Sequence, residues 1–280
     1  MTVQRTAENW KPEEVRRLWG WISSREDMIG SYFSRSEGRS LQNLLLLTGQ
    51  LRGRVLDFGC GPGFLLKRLC NFKGVEAEGL DFSPKNVEET KARLKDKPRF
   101  KGATVVDGLP SPLPESQFDL VTCIEVIEHL TDEQFQQTLA EILRLLKPGG
   151  QVLFTTPNDE KLLKNQNYCP FCDSQFHRWQ HLRSFNSQQL KESLEQAGFE
   201  ILFCQGIDLK RFKPPKQQKV LDMGVRYVAG KVGRGIRDAS ASLFDLLTGA
   251  KFPLNRRFRG RVTPGAHLIA FVRRPERGKS

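Results

Sequence analysis

From residue 53 onward, short apolar runs alternate with stretches whose apolar residues recur at helical spacing. Val55, Leu56 and Phe58 form one such run, and Phe64, Leu65, Leu66 and Leu69 follow it at the spacing of a helix face. The pattern predicts strands near 53–58, 74–80, 101–106, 118–124, 150–156, 199–206 and 266–273, with helices near 63–72, 84–95, 131–146 and 187–198. Runs apolar throughout, rather than on alternate residues, indicate strands covered on both faces. Strand and helix in alternation imply an α/β fold with a seven-stranded, mostly parallel sheet and helices on both faces. Lys147-Pro148-Gly149-Gly150 punctuates the passage from a helix to the fifth strand, because proline cannot continue a helix.

Two segments fall outside this alternation. Residues 1–52 read as an N-terminal helical cap, with Trp19, Trp21, Tyr32 and Phe33 ahead of the apolar run Leu44 to Leu47. Residues 208–262 form an insertion before the last strand, leaving 53–207 and 263–275 as the core domain. Within the insertion Leu221, Val225, Val228, Val232 and Ile236 stand at helical spacing, with Arg226, Lys231, Arg234 and Arg237 on other faces. Gly224, Gly230, Gly233 and Gly235 weaken such a helix by about 1 kcal/mol each relative to alanine, so it needs a partner surface.

Charge sharpens that picture. The 280 residues carry a net charge of +12, yet residues 208–280 hold 18 Lys and Arg against 5 Asp and Glu, and residues 1–207 hold 26 against 27. The positive excess therefore belongs to the C-terminal part, most of it in the insertion. It reads as a lid over the core, as a contact with an anionic membrane surface, or as a nucleic-acid contact through Arg256-Arg257-Phe258-Arg259-Gly260-Arg261. No run is long enough to span a bilayer and the first ten residues are polar, so a cytoplasmic protein, peripheral to a membrane at most, is expected. The six cysteines show no disulfide framework, consistent with a reducing compartment.

The most informative chemistry lies in Val55-Leu56-Asp57-Phe58-Gly59-Cys60-Gly61-Pro62-Gly63. Gly59, Gly61 and Gly63 form a turn between strand and helix, where backbone N–H groups and the helix N-terminus face a ligand. Phe64 stands where the dinucleotide pattern G-x-G-x-x-G requires its third glycine, and Asp57 is an acceptor suited to an ammonium group rather than a pyrophosphate. Asp81, at the end of the second strand, can accept from ribose hydroxyls; Ser83 beside it is the better helix cap. Asp107, in Val105-Val106-Asp107-Gly108, can accept from an adenine amine or simply form an Asp-Gly turn. Phe82, Val106 and Leu109 are apolar candidates for the faces of that ring.

Together with Phe118 to Leu130 and Phe154 to Asn158, these segments resemble the class I S-adenosylmethionine-dependent methyltransferases, specifically the ubiquinone-type O-methyltransferase group. The resemblance covers roughly residues 40–207 and the last strand, and speaks to fold and cofactor more than to substrate. It implies a Rossmann-like methyltransferase fold and S-adenosylmethionine held by Asp57, Gly59, Gly61, Gly63, Asp81, Phe82, Asp107, Gly108, Ile124 and Glu125.

Two constellations could serve the second substrate. Glu125-x-x-Glu128-His129 places Glu125, Glu128 and His129 on one face of a helix or turn, as base or, with a later histidine, as a divalent-metal site resembling that of the small-RNA 3′-end 2′-O-methyltransferases. Cys169, Cys172, His177 and His181, spaced C-x2-C-x4-H-x3-H, nearly match a zinc knuckle, which would be structural. His181 cannot serve both. The leading expectation is an O-methyltransferase of a small or lipid-like acceptor. The alternative is an RNA 2′-O-methyltransferase, or a nucleic-acid-binding module that uses the basic C-terminal part.

Overall fold

A computed structural model describes residues 3–4, 9–49, 51–209 and 265–276. Residues 210–264, nearly all of the basic insertion expected to act as a lid, a membrane contact or a nucleic-acid contact, lie outside the described residues.

The N-terminal region comprises β1 (Val3–Gln4), α1 (Pro12–Ser24), α2 (Phe33–Ser36) and α3 (Gly38–Thr48). The first half of the core follows as β2 (Gly53–Phe58), α4 (Phe64–Leu69), β3 (Val75–Asp81), α5 (Pro84–Leu94) and β4 (Phe100–Val105). The second half is β5 (Phe118–Ile124), α6 (Asp132–Leu145), β6 (Leu146–Pro157), α7 (Ser187–Gln196), β9 (Glu200–Ile207) and β10 (His267–Arg273). Between β6 and α7 lies a hairpin of β7 (Gln166–Cys169) and β8 (Ser174–His177).

The main sheet has seven strands in the order β4-β3-β2-β5-β6-β10-β9, with β10 antiparallel to both neighbours. The chain winds outward from β2 to β4, then returns to place β5 on the other side of β2. The carboxyl ends of β2 and β5 thus flank the switch point, where open α/β sheets bind ligands. Because β10 runs against its neighbours, its first residue, His267, pairs with Pro157 at that same sheet edge.

Apolar residues fill both faces. Leu41, Leu44, Leu65, Leu66 and Leu69 pack over one side, and Phe135, Leu139, Ile142, Leu190 and Leu194 over the other. Ser83 caps α5, its Oγ accepting from Asn86 N, and Thr131 and Gln134 cap the start of α6 reciprocally. The Lys147–Gly150 punctuation is a register shift inside β6: Phe118 pairs with Leu146, but Leu120 pairs with Gln151.

The pairing β1-β8-β7 forms a second, three-stranded sheet, with Val3 opposite Ser174 in parallel. Periodicity did not predict it, because these strands are two to four residues long. Among the described residues no helix is long and apolar enough to cross a membrane.

Candidate active site

A cavity of about 490 Å³ opens over the carboxyl ends of β2, β3, β5 and β6. Its floor includes Gly59 and Gly61 from the glycine turn, Asp81 and Phe82 after β3, and Ile124 and Glu125 after β5. Its outer wall comes from the N-terminal region, through Val15, Arg16, Trp19, Tyr32 and Phe33. The segment after β6 adds Trp179 and His181.

The glycine turn is shaped by its protein neighbours as much as by a ligand. Gly59 has φ +74°, and a Cβ there would lie 2.6 Å from Val126 Cγ2, so only glycine fits. Asp81 ties the turn to α5: Oδ2 accepts from Gly61 N (2.8 Å), while Oδ1 accepts from Ser83 N (2.9 Å) and Asn86 Nδ2 (3.1 Å). Three donors leave little capacity for two ribose hydroxyls, since a carboxylate offers about four lone-pair sites. Burial pushes the Asp81 carboxyl above its ordinary value, against these three bonds.

Asp57 and Gly63 sit just behind the cavity and do not line it. The Asp57 carboxyl is buried and accepts from Thr122 Oγ1 at 2.7 Å; burial raises its pKa to about 7. Gly108 and Asp107 reach the wall beside Phe82, Val106 and Leu109. Asp107 is exposed, however, and Arg16 of α1 holds it through an ion pair and through a bond to its backbone oxygen (2.8 Å). Sequence spacing gave no sign of this partner, 91 residues away.

The Glu125-x-x-Glu128-His129 constellation divides. Glu125 adopts φ +51°, and its Oε1 accepts from Thr155 Oγ1 at 2.8 Å. That conformation turns it toward His267, whose Nδ1 lies 3.8 Å from Oε1. Glu128 and His129 lie in a 3-10 turn, Ile127–His129, and both side chains are buried on the cavity wall. Burial, and then the charge of Glu125, push the Glu128 carboxyl well above its ordinary range. Burial, and then His181, push His129 well below its own, so it is neutral. Its Nδ1 faces Gln180 O at 3.4 Å, and its ring meets those of Trp19 and His181 at centroid distances of 4.6 and 4.8 Å.

The four-ligand knuckle is not assembled. Cys169 pairs with Ser174 at the turn end of the β7–β8 hairpin, whereas His177 pairs with Gln166 at its opposite end. Three residues of extended chain separate the two ends by about 10 Å and turn Cys169 and His177 to opposite faces of the hairpin. Among the described residues, the clusters able to hold a metal contain no cysteine: they are Glu128 with His129 and His181, and Glu160 with His177 and His181. Glu160, which sequence reasoning missed, accepts from His181 Nδ1 at 2.5 Å and lies 3.4 Å from His177 Nε2. Burial would raise its carboxyl, but the bonds from His177 and then His181 hold it well below the usual range.

This fold, with an acidic strand end, a glycine turn and a pocket at the switch point, defines a class I methyltransferase domain. The family model "Methyltransferase domain" matches residues 12–202, and the chain belongs to that family. Among curated proteins, a ubiquinone biosynthesis O-methyltransferase of Rhizobium johnstonii is 30% identical over 185 residues, 62% of this chain and 71% of that one. A ubiquinone biosynthesis O-methyltransferase of Aromatoleum aromaticum is 35% identical over 111 residues, 38% of this chain and 44% of that one. The chain spans about half the length, or less, of several curated relatives it matches. Among solved structures, the Burkholderia thailandensis 1,6-didemethyltoxoflavin-N1-methyltransferase, with bound 1,6-didemethyltoxoflavin and S-adenosylhomocysteine, shares the fold. Its TM-score is 0.58 at 15% identity, covering 95% of this chain and 92% of that one.

Proposed function

We propose that this protein transfers a methyl group from S-adenosylmethionine to an oxygen of a small or lipid-like acceptor. The observation that carries the reading is one cavity bounded by the glycine turn, Asp81 and the Phe82–Leu109 wall, and also by the neutral imidazole of His129 with His181 beside it. The lining fits the cofactor: the remaining acceptor capacity of Asp81 and the Glu125 carboxyl at two strand ends, the glycine turn, and an apolar slot between Phe82 and Leu109. When bound, S-adenosylmethionine supplies a methyl group on a sulfonium sulfur, a leaving group in a substitution.

The remaining work belongs to the chain's own residues. Trp19, Tyr32 and Phe33 form part of the outer wall, against which an acceptor would be held in line. A hydroxyl must lose its proton as the carbon–oxygen bond forms. His129 and His181 are placed to take it, since each has Nδ1 turned to a protein acceptor and Nε2 free of its proton. The 2-His arrangement favours oxygen over a tertiary or already neutral nitrogen acceptor, which needs no base. Relatives named for ubiquinone biosynthesis and for tocopherol O-methylation support an acceptor with a phenolic hydroxyl. The nucleic-acid alternative rests on basic residues of the insertion, outside the described residues.

Isothermal titration with S-adenosylhomocysteine, followed by labelled methyl transfer to a panel of phenols, amines and short RNAs, tests the proposal. Micromolar binding with transfer to phenols is expected. No binding overturns the enzyme reading, and transfer to amines or RNA alone overturns the choice of oxygen acceptor.

A further inference from the structure

We propose that Glu160, held from its other side by His177, positions His181 as the proton acceptor of the reaction, and that His129 does not share that task. The inference rests on the methyltransferase reading and separates two histidines which that reading leaves equal.

The segment after β6 builds the arrangement. Asp159 adopts φ +51°, and its backbone N–H donates to Phe185 O at 2.8 Å, which draws the chain at Glu160 against the stretch carrying His177 and His181. Those two imidazoles stack, 4.5 Å between centroids, and the Glu160 carboxylate spans them. Its Oε2 accepts from His181 Nδ1 at 2.5 Å, and its Oε1 lies 3.4 Å from His177 Nε2.

These contacts assign the protons. His177 Nδ1 accepts from the backbone N–H of His181 at 3.1 Å, so the neutral ring carries its proton on Nε2, facing Glu160. Burial opposes the charge of Glu160, but the bonds from His177 and then His181 hold its carboxyl well below the usual range, so it is ionised and only accepts. His181 Nδ1 therefore carries the proton of that ring, and Nε2 keeps its lone pair. Of these three residues, His181 lines the cavity and the other two stand behind it. The lone pair belongs to the member that an acceptor can reach.

The fate of the transferred proton separates His181 from His129. As the oxygen–carbon bond forms and the carbon–sulfur bond breaks with its electrons going to sulfur, the hydroxyl proton of the acceptor passes to an imidazole, which becomes a cation. At His181 that cation rests against the Glu160 carboxylate in a charge-assisted bond, about twice as strong as a neutral one. At His129 it would meet only a backbone carbonyl, Gln180 O at 3.4 Å, in a position where burial and then His181 disfavour the charged ring. Glu128 supplies no counter-charge, because burial and then Glu125 keep its carboxyl protonated, 3.8 Å from His129 Nε2.

The full-length protein, labelled with nitrogen-15 at histidine, tests the arrangement without cofactor or acceptor. The chain has four histidines, and ring-nitrogen spectra in mildly alkaline buffer report which nitrogen holds each proton. The Nδ1–H form is expected for His181 and the Nε2–H form for His177. Glu160→Gln, whose amide donates to Nδ1, should move the His181 proton to Nε2. The kinetic arm compares plain phenols with nitrophenols, which are already ionised in that buffer. For phenols His181→Ala should lower kcat by about a hundredfold to ten-thousandfold and Glu160→Gln by about tenfold or more, with KM nearly constant and part of the loss recovered in Glu160→Asp. Nitrophenols should lose less than tenfold, and His129→Phe should cost less than His181→Ala on either acceptor. S-adenosylhomocysteine binding within a few fold of the parent marks an intact fold. An Nε2–H form of His181 in the parent, equal losses for both acceptors, or a larger loss in His129→Phe would overturn the assignment. A parent that transfers to no phenol sinks the oxygen-acceptor reading and the base with it; a parent active on phenols, with His181→Ala equally active, sinks the base alone.

Discussion

Trp19 Nε1 donates to Gln180 Oε1 at 2.6 Å, and the same indole meets the His129 ring edge-on, 4.6 Å between centroids. Gln180 is fully buried at φ +58°; its Nε2 donates to His129 O (2.9 Å) and its carbonyl faces His129 Nδ1. One residue thus joins the N-terminal helix to the 3-10 turn Ile127–His129 and faces the His129 Nδ1 with an acceptor.

Trp19→Phe tests this joint. The ring stays and the donor goes, leaving Gln180 Oε1 buried without a partner. Unfolding in urea should show a loss of about 1–3 kcal/mol. Affinity for S-adenosylhomocysteine should hardly change, while KM for the acceptor rises. An unchanged stability would mean that water replaces the indole and that the two segments are not coupled there.

Asp81→Asn should act on the donor half instead. An amide offers one oxygen where Gly61, Ser83 and Asn86 now donate to two, and it turns an N–H toward at least one of those donors. Hydrogen bonds to a charged group are worth about 1.5–3 kcal/mol, so binding of S-adenosylhomocysteine should weaken by tenfold or more, with a lower Tm. Calorimetric titration and a thermal scan on one preparation measure both. Weakened binding at an unchanged Tm would assign Asp81 to the ligand alone, and not to the turn.

These residues mark how far the sequence was legible. The seven main strands and the four core helices were readable because their apolar runs and spacings are set by burial on a two-sided sheet. The glycine turn was readable because its backbone conformation restricts the residue type. Contacts across the cavity were not. Arg16 with Asp107, Trp19 with Gln180 and Glu160 with His181 pair residues 91, 161 and 21 positions apart, and only the folded chain brings them together. Glu160 is an ordinary polar loop residue in the sequence, and Cys169-x-x-Cys172 looked like a ligand pair because spacing carries no information on the strand register that separates it from His177. His267 could have been found: the first residue of a strand antiparallel to its neighbours stands at the ligand edge.

Asp57 gives a prediction about protons. Its carboxyl titrates near a pKa of about 7 because burial outweighs the bond from Thr122. Asp57 stands behind the glycine turn, so a cationic group bound in the cavity favours its ionised form. Titration of S-adenosylhomocysteine near pH 7 in buffers of differing ionisation enthalpy should then show net proton release. Release should vanish in Asp57→Asn. Equal release in that variant would place the titrating group elsewhere.

Glu128 contributes a pH dependence to the stability of the fold. Its folded-state pKa is raised, by burial and then by Glu125, above the ordinary 4.5. Below about pH 4.5 both folded and unfolded chains hold the proton. Above it the unfolded chain releases the proton and the folded chain retains it, so stability is lost as pH rises, by up to about 1.4 kcal/mol per unit. His129 has the opposite sign: its depressed pKa removes stability as pH falls below about 6.5. Both Glu128→Gln and the parent protein contain His129, so the difference between their Tm values isolates Glu128. That difference should widen in favour of Glu128→Gln from about pH 5 to about pH 8. A flat difference would mean that Glu128 is ionised in the folded protein and has found a donor of its own.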